Sequence, residues 1–381
     1  MMIAVPLGHA PGERGLLQLY GFAVTDPKTT VLDTIQRVQP ISKVWMDRAE
    51  QKLAKLTKPP GSLGRLEEIA ARLCAIQQTL EPVSMKRRVI VCVADHGVVA
   101  EGVSAYPSAV TAQMVANFAN GGAAINSLAR VARAGVCVVD VGVSGPLGVI
   151  GDKTKFVSRR VREGTANMTQ GAAMSQDEML QALVIGIEQA DRAAGDGVAL
   201  FGLGEMGIGN TTAASAITAT LTGLAPAQVT GRGTGIDESQ FTRKIEVVER
   251  ALAVNKPHAN SPFEILQTVG GLEIAALCGA CLGAARRRLA VLADGFISTA
   301  AAMLAVAACP PVADYLFAAH LSPEPGHAAQ LEWLRQRPLL NLDMRLGEGT
   351  GTALAMNVIG AACAAFNGMA TFQSACVSDR L

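Results

Sequence analysis

From Arg88 onward, short apolar runs alternate with longer stretches of helical spacing. The runs are Val89–Ala94, Val136–Val141, Val198–Phe201, Leu289–Leu292, Tyr315–Ala319 and Leu339–Leu342. Between them lie helical patterns such as Ser108–Ala119, Ala123–Val131 and Ser175–Ala193, the last opening on a capping box of Ser175 and Glu178. Short apolar strands joined by helices call for a parallel, doubly wound sheet covered on both faces. Upstream, Val38–Leu56 has apolar residues at helical spacing with charges opposite. Pro59-Pro60 breaks it, and Ser62 is a candidate cap for a second helix over Leu63–Thr79. Downstream, the Ala-rich run Ala353–Ala365 predicts a final helix that packs back on this hairpin. The expected fold is α/β: a doubly wound parallel sheet of about six strands in residues 86–351, with a small helical domain built from both chain ends, 36–85 plus 352–381. Residues 1–35 show no clear period and are expected to form a poorly defined extension.

Candidate chemistry concentrates after the third run. Gly202, Gly204, Gly207 and Gly209 follow Phe201 closely, and Asn210, Thr211 and Thr212 are N-cap candidates for a helix over Ala213–Leu221. Strand, Gly-rich turn and helix N-terminus together favour an anion, phosphate above all. Glu205 is out of place beside a phosphate alone, so the ligand is expected to carry positive charge as well. Two familiar motifs do not fit. Gly202-x-Gly204-x-x-Gly207 matches the dinucleotide fingerprint literally, but Leu221–Gly235 holds no acid for a ribose, and no Gly-Lys-Ser/Thr is present for a P-loop.

Composition narrows the class. The chain has 381 residues, half of them hydrophobic, with 39 glycines and only 4% aromatics, as suits an α/β enzyme with closely packed helices and sheet. A net charge of +1 excludes a general nucleic-acid binder, whose affinity rests on neutralising phosphates. The eight cysteines are scattered, mostly in apolar segments, which points to a reduced compartment; Cys278-x-x-Cys281 lacks a second pair for zinc. The N-terminus is a poor signal peptide, and Leu289–Cys309 is interrupted by Asp294-Gly295, so a cytoplasmic protein with no membrane span is expected.

In a doubly wound sheet, ligands sit beyond the carboxyl ends of the strands. Those ends carry Asp95-His96-Gly97, Gly142-Val143-Ser144, the Gly-rich turn, Asp294-Gly295-Phe296, His320-Leu321-Ser322 and Arg345-Leu346-Gly347-Glu348, a rim for a small-molecule cleft. Asp95-His96 is read as a structural pair rather than a metal site, since adjacent strand-end residues point apart. After Glu348, the sequence Gly349-Thr350-Gly351-Thr352 leads into an Ala-rich helix and echoes Glu205 and its helix.

TKPPGSLGRLE (57–67), ADHGV (94–98), EGVSAYP (101–107), TAQMVANFANGGAAIN (111–126), GEMGIGNTT (204–212), GRGTGID (231–237), DGF (294–296) and RLGEGTG (345–351) are carried by this chain. With them it resembles the nicotinate-nucleotide–dimethylbenzimidazole phosphoribosyltransferases from about residue 40 to the C-terminus. The resemblance implies homodimers that use no metal or cofactor and convert nicotinate mononucleotide and 5,6-dimethylbenzimidazole to α-ribazole 5′-phosphate and nicotinate. It further implies Glu348 as general base. The nucleotide would lie along Gly204, Glu205, Gly207, Gly209, Asn210 and Thr211, with Lys244 near the phosphate and Asp294 and Ser322 at matching positions. Gln113, Met206 and Leu346 match positions lining the benzimidazole pocket. Two rivals stay open: a non-catalytic nucleotide-binding module, against which Glu348 argues, and a transferase for another azole or a phenol, which the residues facing the ring would decide.

Overall fold

A computed structural model describes residues 26–151, 155–233 and 235–378; the expected extension lies mostly outside them. From residue 27 on, that stretch is ordered helix. Pro27–Arg37 (α1) is capped by Asp26, buries Val31 and Thr34, and bonds the Arg286 guanidinium through Thr34 Oγ1 at 3.0 Å. The helix expected over Val38–Leu56 is shorter, Lys43–Leu53 (α2), because Pro40 interrupts the chain after α1. The second helix of the hairpin is Arg65–Gln77 (α3), and its N-cap is Gly64, at φ 53°, rather than Ser62.

The sheet has six strands, all parallel: Arg87–Ala94 (β1), Ala134–Gly142 (β2), Phe156–Ser158 (β3), Leu200–Met206 (β4), Ala290–Ala293 (β5) and Leu316–Ala318 (β6), in the order β3-β2-β1-β4-β5-β6. The count matches the expectation, but one member differs. Leu339–Leu342 is not a strand; Leu340 makes a single parallel bridge with His320 beyond the end of β6. The three-residue β3 takes the opposite edge. A chain that leaves β1 in one direction and returns for β4 on its other side creates a switch point between them, the crevice where such sheets hold ligands.

Between strands run Ala109–Ala119 (α4), Ala124–Ala132 (α5), Gln176–Gly195 (α6), Asn210–Thr222 (α7), Glu238–Asn255 (α8), Pro262–Val269 (α9), Leu272–Arg286 (α10) and Phe296–Ala308 (α11), and after β6 comes Pro325–Trp333 (α12). The Ser175–Glu178 capping box opens α6 as the sequence predicts. Small residues let α6 and α10 touch backbone to backbone: a Cβ on Gly186 would stand 1.7 Å from Ala276 O, and one on Gly279 1.9 Å from Leu183 O. The last helix, Thr350–Gly368 (α13), packs on α3, α5 and the central strands. Beyond it, Thr371 bridges Leu56, so the chain's end returns to the hairpin. Among the described residues α13 is the one helix long and apolar enough to cross a membrane by composition, and it is a core helix, with Ala353, Ala355, Met356 and Ile359 buried.

Candidate active site

Strand β4 continues to Met206, past Leu203, the last residue it pairs with β5, and this carries its end to the mouth of the sheet. Gly202, Gly204 and Glu205 therefore lie in strand, not in a turn. This is the physical reason the dinucleotide fingerprint does not apply: its glycines shape a loop, whereas Gly202 and Gly204 clear one face of a strand. A Cβ on Gly202 would meet Thr352 Oγ1 at 2.6 Å, and one on Gly204 would meet Glu348 O at 2.6 Å. Successive residues of a strand face opposite ways, so Glu205 points off the face that Gly204 leaves open. The turn proper is Gly207-Ile208-Gly209. Gly209 (φ 95°) is the N-cap of α7, replacing the expected side-chain caps Asn210, Thr211 and Thr212.

Beyond the carboxyl ends of β4, β5 and β6 is a cavity of about 430 Å³. Its walls come from Glu205 through Thr211, from Gly295-Phe296-Ile297 after β5, from His320, Ser322 and Glu324 after β6, and from Arg345 through Glu348. Val103, Tyr106, Val110 and Met114 close it on the β1 side, and Arg232, Gly233 and Lys244 close it opposite. Glu205, Met206, Gly207, Gly209, Asn210, Thr211, Lys244, Ser322, Leu346 and Glu348 are thus brought to one space from widely separated segments.

Three expected residues are placed elsewhere. Gly204 packs against the Glu348 turn. Gln113 is exposed on α4 and lines a separate shallow groove with Ala109, Ala112 and Pro146, while its neighbour Met114 turns into the cavity. Asp294, 1% exposed, lies behind the site and accepts from Gly349 N at 3.1 Å and Thr352 N at 3.0 Å. The first two rim motifs are also structural. Asp95 accepts from Ser144 N at 2.8 Å, and His96 Nε2 stands 2.7 Å from Glu273 Oε1 in a pair shut off from solvent.

Glu348 sits in a turn where three successive residues have positive φ: Gly347 at 84°, Glu348 at 63° and Gly349 at 83°. For a side-chain residue this conformation is strained, and such strain collects at functional sites. The carboxylate is buried, and its Oε2 has no hydrogen-bond partner. Burial pushes its pKa up to about 7, with the Ile125 N–H working against the rise and the Asp294 charge adding to it. Glu205 goes further, to about 8, through burial and then the neighbouring Glu273 and Asp294, although Asn210 Nδ2 bonds its Oε2. Burial and the neighbouring acids thus favour the protonated form of Glu205. Replacing Gly204 with Ala is expected to push the Glu348 turn off the strand. The result should be a large loss of kcat together with a lower Tm, read by assay and calorimetry.

Lys244, on α8, is not a solvated helix residue; it is 1% exposed. Its ammonium donates to Thr211 Oγ1 at 2.8 Å and Gly231 O at 3.0 Å, beside the N-terminus of α7. Burial lowers its pKa to about 8, partly offset by the Glu324 carboxylate, so it stays largely charged at neutral pH. Arg232 and Arg345 add positive charge at the mouth. The cavity is thus lined both by cations fit for phosphate and by acids fit for proton transfer, with Met206, Phe296 and Leu346 as apolar wall. Phe296 and His320 belong to the rim that the sequence marks, and Arg232 lies inside the GRGTGID motif, whereas Glu324 is not singled out by the sequence.

Comparison with known proteins fits this geometry. A family model described as Phosphoribosyltransferase matches residues 38–377. The nicotinate-nucleotide–dimethylbenzimidazole phosphoribosyltransferase of Geobacter metallireducens is 49% identical over 347 residues, 91% of this chain and 98% of that protein. Its namesake in Chloroflexus aggregans is 50% identical over 347 residues, with the same shares covered. A crystal structure of the Thermus thermophilus protein of that name matches with a TM-score of 0.84 at 48% identity, covering 89% of this chain and 100% of the other. By the match of model, sequence and structure alike, the chain belongs to the family of nicotinate-nucleotide–dimethylbenzimidazole phosphoribosyltransferases.

Proposed function

We propose that the chain transfers the phosphoribosyl group of nicotinate mononucleotide to 5,6-dimethylbenzimidazole, giving α-ribazole 5′-phosphate and nicotinate. The observation that carries this reading is the unpartnered, buried Oε2 of Glu348 in the wall of the same cavity that the Lys244 ammonium lines. The mononucleotide's phosphate meets Lys244 and the N-terminal turn of α7. Its nicotinate leaves from a pyridinium, already cationic, so the leaving group asks for no general acid. One benzimidazole nitrogen attacks C1′ as the C–N bond to the pyridinium breaks, and the other N–H becomes acidic. Glu348 takes that proton. A single displacement inverts C1′ and gives the α anomer.

Glu205 answers the positive charge. A pyridinium or developing oxocarbenium beside it draws its pKa down, so that the carboxylate forms where the cation lies. Met206 and Leu346 face the acceptor ring. The working unit on this reading is a homodimer in the cytoplasm, with no metal or other cofactor taking part in the displacement.

The test is incubation of the protein with nicotinate mononucleotide and a panel of benzimidazoles, purines and phenols, with products identified by mass and the anomer by NMR. The expected outcome is α-ribazole 5′-phosphate plus one nicotinate per turnover, with 5,6-dimethylbenzimidazole among the best acceptors. A phenol or purine accepted far better than any benzimidazole would replace the acceptor assignment, and tight mononucleotide binding with no nicotinate released would replace the enzyme reading.

A further inference from the structure

We infer that Asp294 is a positioning residue for the reaction: from behind the cavity, without touching substrate, it fixes the turn that aims Glu348. The inference rests on the reading of Glu348 as the base. Asp294 follows β5 and is 1% exposed, a costly place for an acid unless its lone pairs are met. They are met by the backbone of the Glu348 segment: Oδ2 accepts from Gly349 N at 3.1 Å and Oδ1 from Thr352 N at 3.0 Å, at the N-terminus of α13 where a carboxylate is favoured.

The turn has its own ties. Thr350 Oγ1 donates to Gly347 O at 2.8 Å, and Thr352 Oγ1 donates to Gly349 O at 2.7 Å. These bonds stay within the segment and fix its shape, not its place on the sheet. A strained Glu at φ 63° persists only when its surroundings over-determine it. The Asp294 carboxylate supplies that anchor by joining the segment to β5, one side of the cavity floor. The fit behind it is close. His320 Nε2 stands 3.8 Å from Asp294 Oδ1, and a Cβ on Gly351 would lie 2.7 Å from the same oxygen and 2.2 Å from His320 Cδ2. The carboxylate is closely packed and is not among the residues that line the cavity.

An ordinary helix cap would occupy the same place, and the two roles separate kinetically. Asp294→Asn, Glu348→Gln and the double variant are compared for kcat and for KM of the mononucleotide, with calorimetry and mononucleotide titration confirming folded protein. Expected is a fall in kcat of about a hundredfold for Asp294→Asn, as befits a base displaced by an ångström or so, with KM changed less than about threefold. In the Glu348→Gln background the same change should cost nothing further, because the group it positions is already gone. Should Asp294→Asn not fold, Asp294→Glu keeps the charge but displaces the anchored amides by a methylene, and the same pattern is expected. Losses that multiply in the double variant, or a rise in KM at constant kcat, would overturn the positioning role alone. A Glu348→Gln protein with normal kcat would overturn it together with the base assignment.

Discussion

Glu348→Gln is expected to lower kcat by about 10²–10⁴-fold, the span that a positioned general base contributes, while the mononucleotide still binds. Gln fills the same space and keeps the φ 63° turn, but its amide cannot take a proton. The wild-type kcat/KM should fall as pH drops through about 7, because the carboxyl must be ionised to act and burial has raised its pKa to that value. In Glu348→Gln the part of that limb set by Glu348 should be lost, leaving only what Glu205 and Asp294, both raised by burial, contribute. The stability effect has the opposite sign. A carboxyl whose pKa is raised in the folded state favours folding only when protonated, so the fold bears the cost of ionising it above about pH 7 and is free of it near pH 4. Glu348→Gln should therefore have a Tm higher than wild type by a few degrees at pH 8, with the difference shrinking towards pH 5. A slower enzyme that is also a more stable protein is the signature of an acid kept for chemistry.

Lys244→Ala is expected to have the second largest effect, a rise of about 10–100-fold in KM for the mononucleotide, corresponding to the loss of a charge-assisted hydrogen bond to phosphate. The ammonium is buried, and its two present partners, Thr211 Oγ1 and Gly231 O, are neutral. Such a cation, with the Glu324 carboxylate near it but not hydrogen-bonded to it, gains further from an arriving anion. Steady-state kinetics with the acceptor saturating separates the two variants: Lys244→Ala acts mainly on KM, Glu348→Gln on kcat. An unchanged KM in Lys244→Ala would place the phosphate elsewhere in the cavity, with Arg232 and Arg345 as the remaining cationic residues among its described walls.

Much of this architecture is legible in the sequence because it depends on period and punctuation. Val89–Ala94 and Val136–Val141 are apolar enough to require burial on both faces, and they stand next to each other in the sheet. Phe156–Ser158 is too short to leave a periodic trace, and Leu339–Leu342 is apolar for another reason: Leu339 and Leu340 continue the edge beyond β6 through bonds to Ala318 and Ala319. Within the site, Glu348 is readable as an acid ahead of a Gly- and Thr-rich helix start, while its role as base comes from the resemblance. The roles of Gly204 and Asp294 are not. Each acts through tertiary contact with the Glu348 turn, Gly204 from β4 and Asp294 from the end of β5. Gln113 shows the same limit on a helix, where one residue's turn of phase separates an exposed side chain from Met114 in the cavity wall.

The most direct measurement is a crystal structure of the Glu348→Gln protein, slow enough to trap both reactants, with nicotinate mononucleotide and 5,6-dimethylbenzimidazole bound. The side chain at 348 should lie within hydrogen-bond reach of the ring N–H, with the other ring nitrogen facing C1′ and the phosphate on Lys244. An acceptor ring whose N–H is turned from that side chain, with no water between them, would contradict the account.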